Sequence, residues 1–289
     1  MKRIKSGWQL TKKSWGILSD EPGLVKFPIV GGVIALLIAI VLIAPGLYFL
    51  EADPVALGVV LVAVGTYLSA FVVYYFAVAL AHNADRRMQG EQVEFKDGMA
   101  LASSRMSAIA GWAFIATVVM TVIRAIQERF GIAGAILGGL AGAAWGVLSF
   151  LAVPVIAIEG TGPISTLKRC GNLVKSGWGE QITGTIAIGG IVFLLGFLPA
   201  VLFIIAGVFI FSTTAAGGGI LIAFGIVVLV VAALIQQALS TIFGVALYRW
   251  VSTKQAVGGF TAEEMQSAVR TKKGSLGGPG MPPTSASTV

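Results

Sequence analysis

Apolar positions along the chain gather into six runs, at 27–50, 55–81, 108–126, 131–158, 182–211 and 219–248. A helix needs about 20 such residues to cross a hydrocarbon layer roughly 30 Å thick, and each run meets or nearly meets that length. Each is therefore predicted to be a transmembrane helix. Several exceed the minimum and should tilt or bend, with Pro45, Pro154 and Pro199 as the expected kink positions. Three of the intervening gaps are short: 51–54, the turn at Arg129 and Phe130, and the Gly-rich stretch 212–218.

The longer polar stretches have a pattern of their own. Ile4, Trp8, Thr11, Trp15 and Leu18 recur at helical spacing, with Lys2, Lys5, Lys12 and Lys13 mostly on other faces. That pattern describes an amphipathic helix lying in a headgroup layer, where Trp is favoured. Phe95, Met99, Ala102, Met106 and Ile109 form a second stripe, and Ile164, Leu167, Cys170, Val174 and Trp178 a third. Each stripe precedes a pair of apolar runs, and Lys12-Lys13-Ser14-Trp15-Gly16 rhymes with Lys175-Ser176-Gly177-Trp178-Gly179. The fold class expected is all-α and polytopic: six transmembrane helices in three units of amphipathic helix plus hairpin, roughly 1–82, 90–158 and 161–250. As domains this gives an interfacial helix over 1–23 and a membrane domain over 24–250, with amphipathic segments at 90–107 and 161–180. A short helix is expected within 251–273, opened by the capping box Thr261-Ala262-Glu263-Glu264, and a disordered Gly/Pro/Ser/Thr tail over 274–289.

Charge turns this layout into a topology. Of 20 Lys and Arg residues, all but Arg124 and Arg129 fall before the first run, between the second and third, between the fourth and fifth, or after the sixth. Basic residues near helix ends are retained on the cytoplasmic side, so both termini are expected in the cytoplasm of a multi-pass plasma-membrane protein. A secretory signal peptide fits poorly, because the first apolar run is too long and no small-residue cleavage site follows it. With 56% apolar and 11% charged residues and a mean hydropathy of +0.91, a soluble domain is excluded. The net charge of +7 follows from the topology; its expected partners are anionic lipids of the inner leaflet and other integral membrane proteins, not nucleic acid.

Candidate chemistry is sparse. Gln236, Gln237 and Ser240, with Thr241, stand near the middle of the sixth run, as a polar lining or as interhelical hydrogen bonds worth on the order of 0.6 to 2 kcal/mol each. Thr66, Ser69, Tyr74 and Tyr75 of the second run are possible partners. Arg124 and Glu128, at i, i+4 near the far edge of the third run, read as an interfacial anchor, as do Trp8, Trp15 and Trp178. Gly134, Gly138, Gly142 and Gly146 recur every four residues and leave a helix face without side chains, either packed within the bundle or open to a partner protein. The chain holds one His, His82, and one Cys, Cys170, so neither a His metal cluster nor an internal disulfide can be assembled. No phosphate-binding loop is present, Gly217-Gly218-Gly219 reading as a loop between spans. No catalytic residue, metal or cofactor is expected, and the protein reads as a non-enzyme.

Several segments are familiar. Arg3-Ile4-Lys5-Ser6-Gly7-Trp8, Glu159-Gly160-Thr161-Gly162-Pro163-Ile164 leading to Trp178-Gly179-Glu180, Ala246-Leu247-Tyr248-Arg249-Trp250, and Gly258-Gly259-Phe260 resemble a prokaryotic six-helix membrane family of unknown function, of actinobacterial or archaeal type. The resemblance runs to about Arg270 and implies no activity. In architecture alone the chain is also distantly similar to membrane domains attached to glycerophosphodiester phosphodiesterases. The functional expectation is an accessory or structural subunit docking on a larger membrane-protein complex, with a respiratory-chain assembly as one concrete version. The alternative is a lipid-handling or small-solute transporter-like protein.

Overall fold

The computed structural model describes residues 2–175 and 192–261, with backbone alone for residues 2–10. These residues are helical, with no strand among them. In chain order they form α1 (Lys2–Asp20), a 3-10 turn (Pro22–Val25), α2 (Lys26–Ile38), a π turn (Ala39–Ile43), α3 (Ala44–Glu51) and α4 (Val55–Met88). Next come α5 (Phe95–Ser104), α6 (Met106–Arg129), α7 (Gly131–Glu159) and α8 (Pro163–Leu173). After the undescribed stretch come a second π turn (Phe193–Phe197), α9 (Leu198–Phe211) and α10 (Ala215–Thr253).

Six helical stretches are long and apolar enough to cross a membrane: Pro22–Glu51, Val55–Met88, Met106–Arg129, Gly131–Glu159, Phe193–Phe211 and Ala215–Thr253. They match the six runs read from the sequence, though the expected start of the fifth, 182–191, lies outside the described residues. The sixth differs at its beginning. Gly217, Gly218 and Gly219 were expected in a loop, yet α10 already includes them. A Cβ on Gly218 would lie 2.5 Å from the Phe211 backbone and 2.6 Å from the Gly207 carbonyl, so only glycine lets α10 start this close to α9. Of the three expected kink sites, Pro45 and Pro199 each follow a π turn, while α7 runs through Pro154 as unbroken helix. Proline lacks an N–H and crowds the carbonyl four residues back, and a π turn there relieves the crowding.

Along each long helix the side-chain environment changes abruptly. Large apolar residues are exposed from Val55 to Val73 on α4, Ile132 to Leu140 on α7, and Ile220 to Val231 on α10. Beyond that belt the same helices are buried: Phe76 to Ala81 on α4, Leu151 to Ala157 on α7, and Thr241 to Tyr248 on α10. The distance from Ala215 to Gln236 is about 32 Å at 1.5 Å per residue, the thickness of a hydrocarbon layer, and that from Val55 to Phe76 is the same. With 34 and 39 residues, α4 and α10 must project well beyond such a layer.

α4, α7 and α10 pack on one another at the centre of the projecting, packed end. Trp112, Phe27, Ile109 and Cys170 from other helices close around them, each 0% exposed. The amphipathic helices cover this core, α5 lying on α4, α8 on α7 and α6, and α1 on α10. In the belt, by contrast, sequential helices meet through glycine. A Cβ on Gly58 would come within 2.8 Å of the backbone of α3, and one on Gly225 within 2.9 Å of the Ala200 carbonyl on α9.

Candidate functional site

Where the long helices leave the belt, their last turns carry the best-organised polar groups among the described residues. Asp85 on α4 accepts two hydrogen bonds from Arg249 on α10, from Nε at 2.7 Å and from Nη2 at 2.6 Å. The Asp85 side chain is 8% exposed, so the pair is desolvated on the carboxylate side. A planar guanidinium facing both carboxylate oxygens is the geometry that compensates best for that desolvation. Gln89 donates to Asp85 as well, at 3.1 Å.

A second node joins three helices. Glu159, the last residue of α7, accepts a hydrogen bond from the Tyr248 hydroxyl on α10 and one from Arg169 Nε on α8 at 2.8 Å. The hydrogen bond to Glu159 raises the Arg169 pKa above its ordinary value, keeping the guanidinium firmly charged. Next to it, Gly160 ends α7 in the left-handed conformation at φ 66°, and its carbonyl faces Arg105 at 3.5 Å. Asn83 donates to the Glu94 carbonyl at 2.8 Å, and Glu94 and Asp97 form a capping box that starts α5. Lys13 of α1 donates to the Gly259 carbonyl at 2.7 Å.

These contacts bring the residues flanking Lys13, Arg86, Arg105, Arg169 and Arg249 to one end of the bundle, with Arg124 and Arg129 toward the other end of α6. The carboxylates of both nodes, Asp85 and Glu159, are held by cations. As arranged, Asp85 and Glu159 clamp helices together, and no group of three or more potential metal ligands occurs among the described residues. Cys170 is fully buried, and burial first, then the Glu159 charge, pushes its thiol pKa up to about 12.

The residues singled out in the sequence scatter over the molecule. Gln236, Gln237 and Ser240 sit at the end of the belt, not at its middle. Gln236 donates to Ser240 at 3.1 Å and Thr241 to the Gln237 carbonyl at 2.9 Å, bonds confined to α10. Tyr75 instead meets Ser103 at 2.7 Å, and Tyr74 packs edge-on against Trp112. Arg124 and Glu128 are both exposed and form no ion pair with each other; Arg124 borders a recess of about 220 Å³ with Thr66, Tyr74, Thr117 and Thr121. Trp15 is 48% exposed, whereas Thr11, Ser14 and Leu18 form the buried face of α1. Nothing is described for the Trp8 side chain, and Trp178 lies outside the described residues.

The glycine stripe of α7 divides in two. A Cβ on Gly134 would strike the Ile126 carbonyl and one on Gly138 the Gln127 side chain, both on α6. Gly142 and Gly146, together with Gly139, have nothing within 4 Å of that position among the described residues. Sequence reading missed the Asp85–Arg249 and Glu159–Tyr248–Arg169 nodes. Their signal was the presence of acidic residues just past apolar runs, inside gaps otherwise dominated by basic ones.

Comparison with curated proteins and with solved structures finds no match for this chain, and so none to the membrane domains of glycerophosphodiester phosphodiesterases. A family match does exist. It takes in the Glu159–Ile164, Ala246–Trp250 and Gly258–Gly259 segments and both polar nodes, and leaves out the opening Arg3–Trp8 motif. Residues 60–259 match DUF6159, a family of unknown function, and the chain belongs to that family.

Proposed function

We propose that this protein is a non-catalytic, multi-pass subunit of the plasma membrane, with both termini in the cytoplasm, that docks on a larger membrane-protein assembly. The observation that carries this reading is the divided glycine stripe. Gly134 and Gly138 are used against α6, while Gly139, Gly142 and Gly146 leave a side-chain-free strip at belt level. Lipid tails gain little from such a strip, whereas a second helix can bring its backbone close to it and gain van der Waals contact. We also read the fold as three related units. α5 and α8 each cover a long helix from the preceding unit, and α1, which has none before it, covers α10.

Native extraction in mild detergent followed by mass spectrometry tests the docking. A stoichiometric protein partner is expected, lost in Gly142→Leu and Gly146→Leu although both variants fold. The partner's identity, a respiratory-chain assembly included, is read from the same sample. A lone wild-type monomer that moves lipid or solute in vesicles would replace this reading with the transporter-like one. Topology is tested separately with single cysteines placed at Gly90 and Lys254 in a Cys170→Ala background. Neither should react with an impermeant maleimide added to intact cells, and labelling of either would invert the orientation.

A further inference from the structure

Trp15 stands between two apolar grooves of nearly equal size at the edge of the belt. The first, about 350 Å³, runs between α1, the π turn that precedes α9, and α10, and is walled by Val192, Leu195, Gly196, Ala232 and Leu239. The second, about 340 Å³, runs between α1, α2 and α10 and is walled by Leu18, Pro22, Ile29, Val231 and Leu234. Trp15 and Ile235 belong to both. Each groove has the capacity of a small-molecule site and opens to the surface.

Three features specify the occupant. The grooves start where exposed large apolar residues on α10 stop, at Val231, so one end faces the polar layer and the other the hydrocarbon belt. Lys12 lines the first groove, is exposed, and forms no ion pair among the described residues. Among the described residues, no acidic side chain lines either groove. A molecule with two apolar arms and one negative head satisfies all three. We propose that α1 and α10 form a binding site for one anionic diacyl phospholipid, its acyl chains lying on either side of Trp15 and its phosphate facing Lys12. Such a lipid ties α1 to the belt, a role independent of the docking strip on α7.

The test uses the full chain purified in mild detergent, supplied with equal amounts of phosphatidylglycerol and phosphatidylcholine, and weighed by native mass spectrometry. The wild type should retain one phospholipid per chain and favour phosphatidylglycerol by about fivefold, the preference expected of a single basic residue near the headgroup. Lys12→Glu should abolish that preference. Trp15→Ala should lower total retention on the order of tenfold, as loss of a large apolar contact implies. Cys170, fully buried and not lining either groove, reports folding: it should stay protected from maleimide in both variants. If Trp15→Ala exposes Cys170, the exposed position of Lys12 lets the charge variant decide alone. Absence of retained phospholipid, equal retention of the two lipids by the wild type, or unchanged retention and preference in the variants would each overturn the site.

Discussion

α4 obeys one set of packing rules from Val55 to Val73 and another from Phe76 to Asp85, and α7 and α10 change in the same way. In the belt, helices meet through Gly58, Gly134, Gly207 and Gly225, and large side chains point outward. In the packed end, large side chains point inward and charged pairs lock the helix ends. Hydrocarbon surroundings explain the contrast: lipid tails satisfy a leucine as well as a protein core does, so only close backbone approach favours association there. Outside the belt, water restores the hydrophobic drive and the ordinary core returns. The most apolar stretch of α10 is accordingly only 17% buried, so peak hydropathy in this chain marks lipid contact and not the core.

The sharpest way to break the contrast is to unlock the packed end. Asp85→Ala leaves Arg249 half-buried beside a lost partner and should cost about 3 kcal/mol or more, seen as a much lower unfolding temperature in detergent. Tyr248→Phe removes one hydrogen bond to the Glu159 carboxylate and should cost about 1.5 to 3 kcal/mol by the same measurement. In the belt, Gly58→Val would press a side chain into the α3 backbone; about 1 to 3 kcal/mol is expected, with α3 displaced from α4.

A smaller effect should appear only at high pH. The Cys170 thiol is pushed up to about 12 in the folded protein from an ordinary 9.0, so the native state holds this proton more tightly than the unfolded chain. Its contribution is complete below pH 9 and is lost as pH rises from there toward 12. Cys170→Ala should flatten that part of the stability profile, and wild-type Cys170 should resist maleimide at neutral pH until the protein is unfolded. The smallest effect sharpens the comparison from the other side. At Gly142 an added Cβ meets nothing among the described residues, and Gly142→Leu should alter the unfolding temperature of the isolated protein by no more than about 0.5 kcal/mol equivalent.

Much of the architecture was written in the order of residues. Runs such as 55–81 and 131–158 announced helices because hydropathy and helical length are local sums, and the pairing of neighbours followed from the short turns at 51–54 and 129–130. Basic gaps could be grouped for the same reason. What lay beyond reach were the questions that depend on which faces meet. Gly134 and Gly142 are indistinguishable in a four-residue repeat, yet only the first is covered by α6. Gln236 reads as mid-span when an apolar run is taken as the span, and it moves to the edge once the burial of Thr241 to Tyr248 shows that α10 outlasts the belt. Asp85 finds Arg249 across 164 positions, and Trp15 acquires two grooves only where α1 rests on α10. The sequence by itself determined the number and approximate position of the apolar helices, since each residue's preference for lipid or water is its own. The tertiary structure alone decided partners, burial and depth, since those belong to pairs of surfaces brought together by the fold.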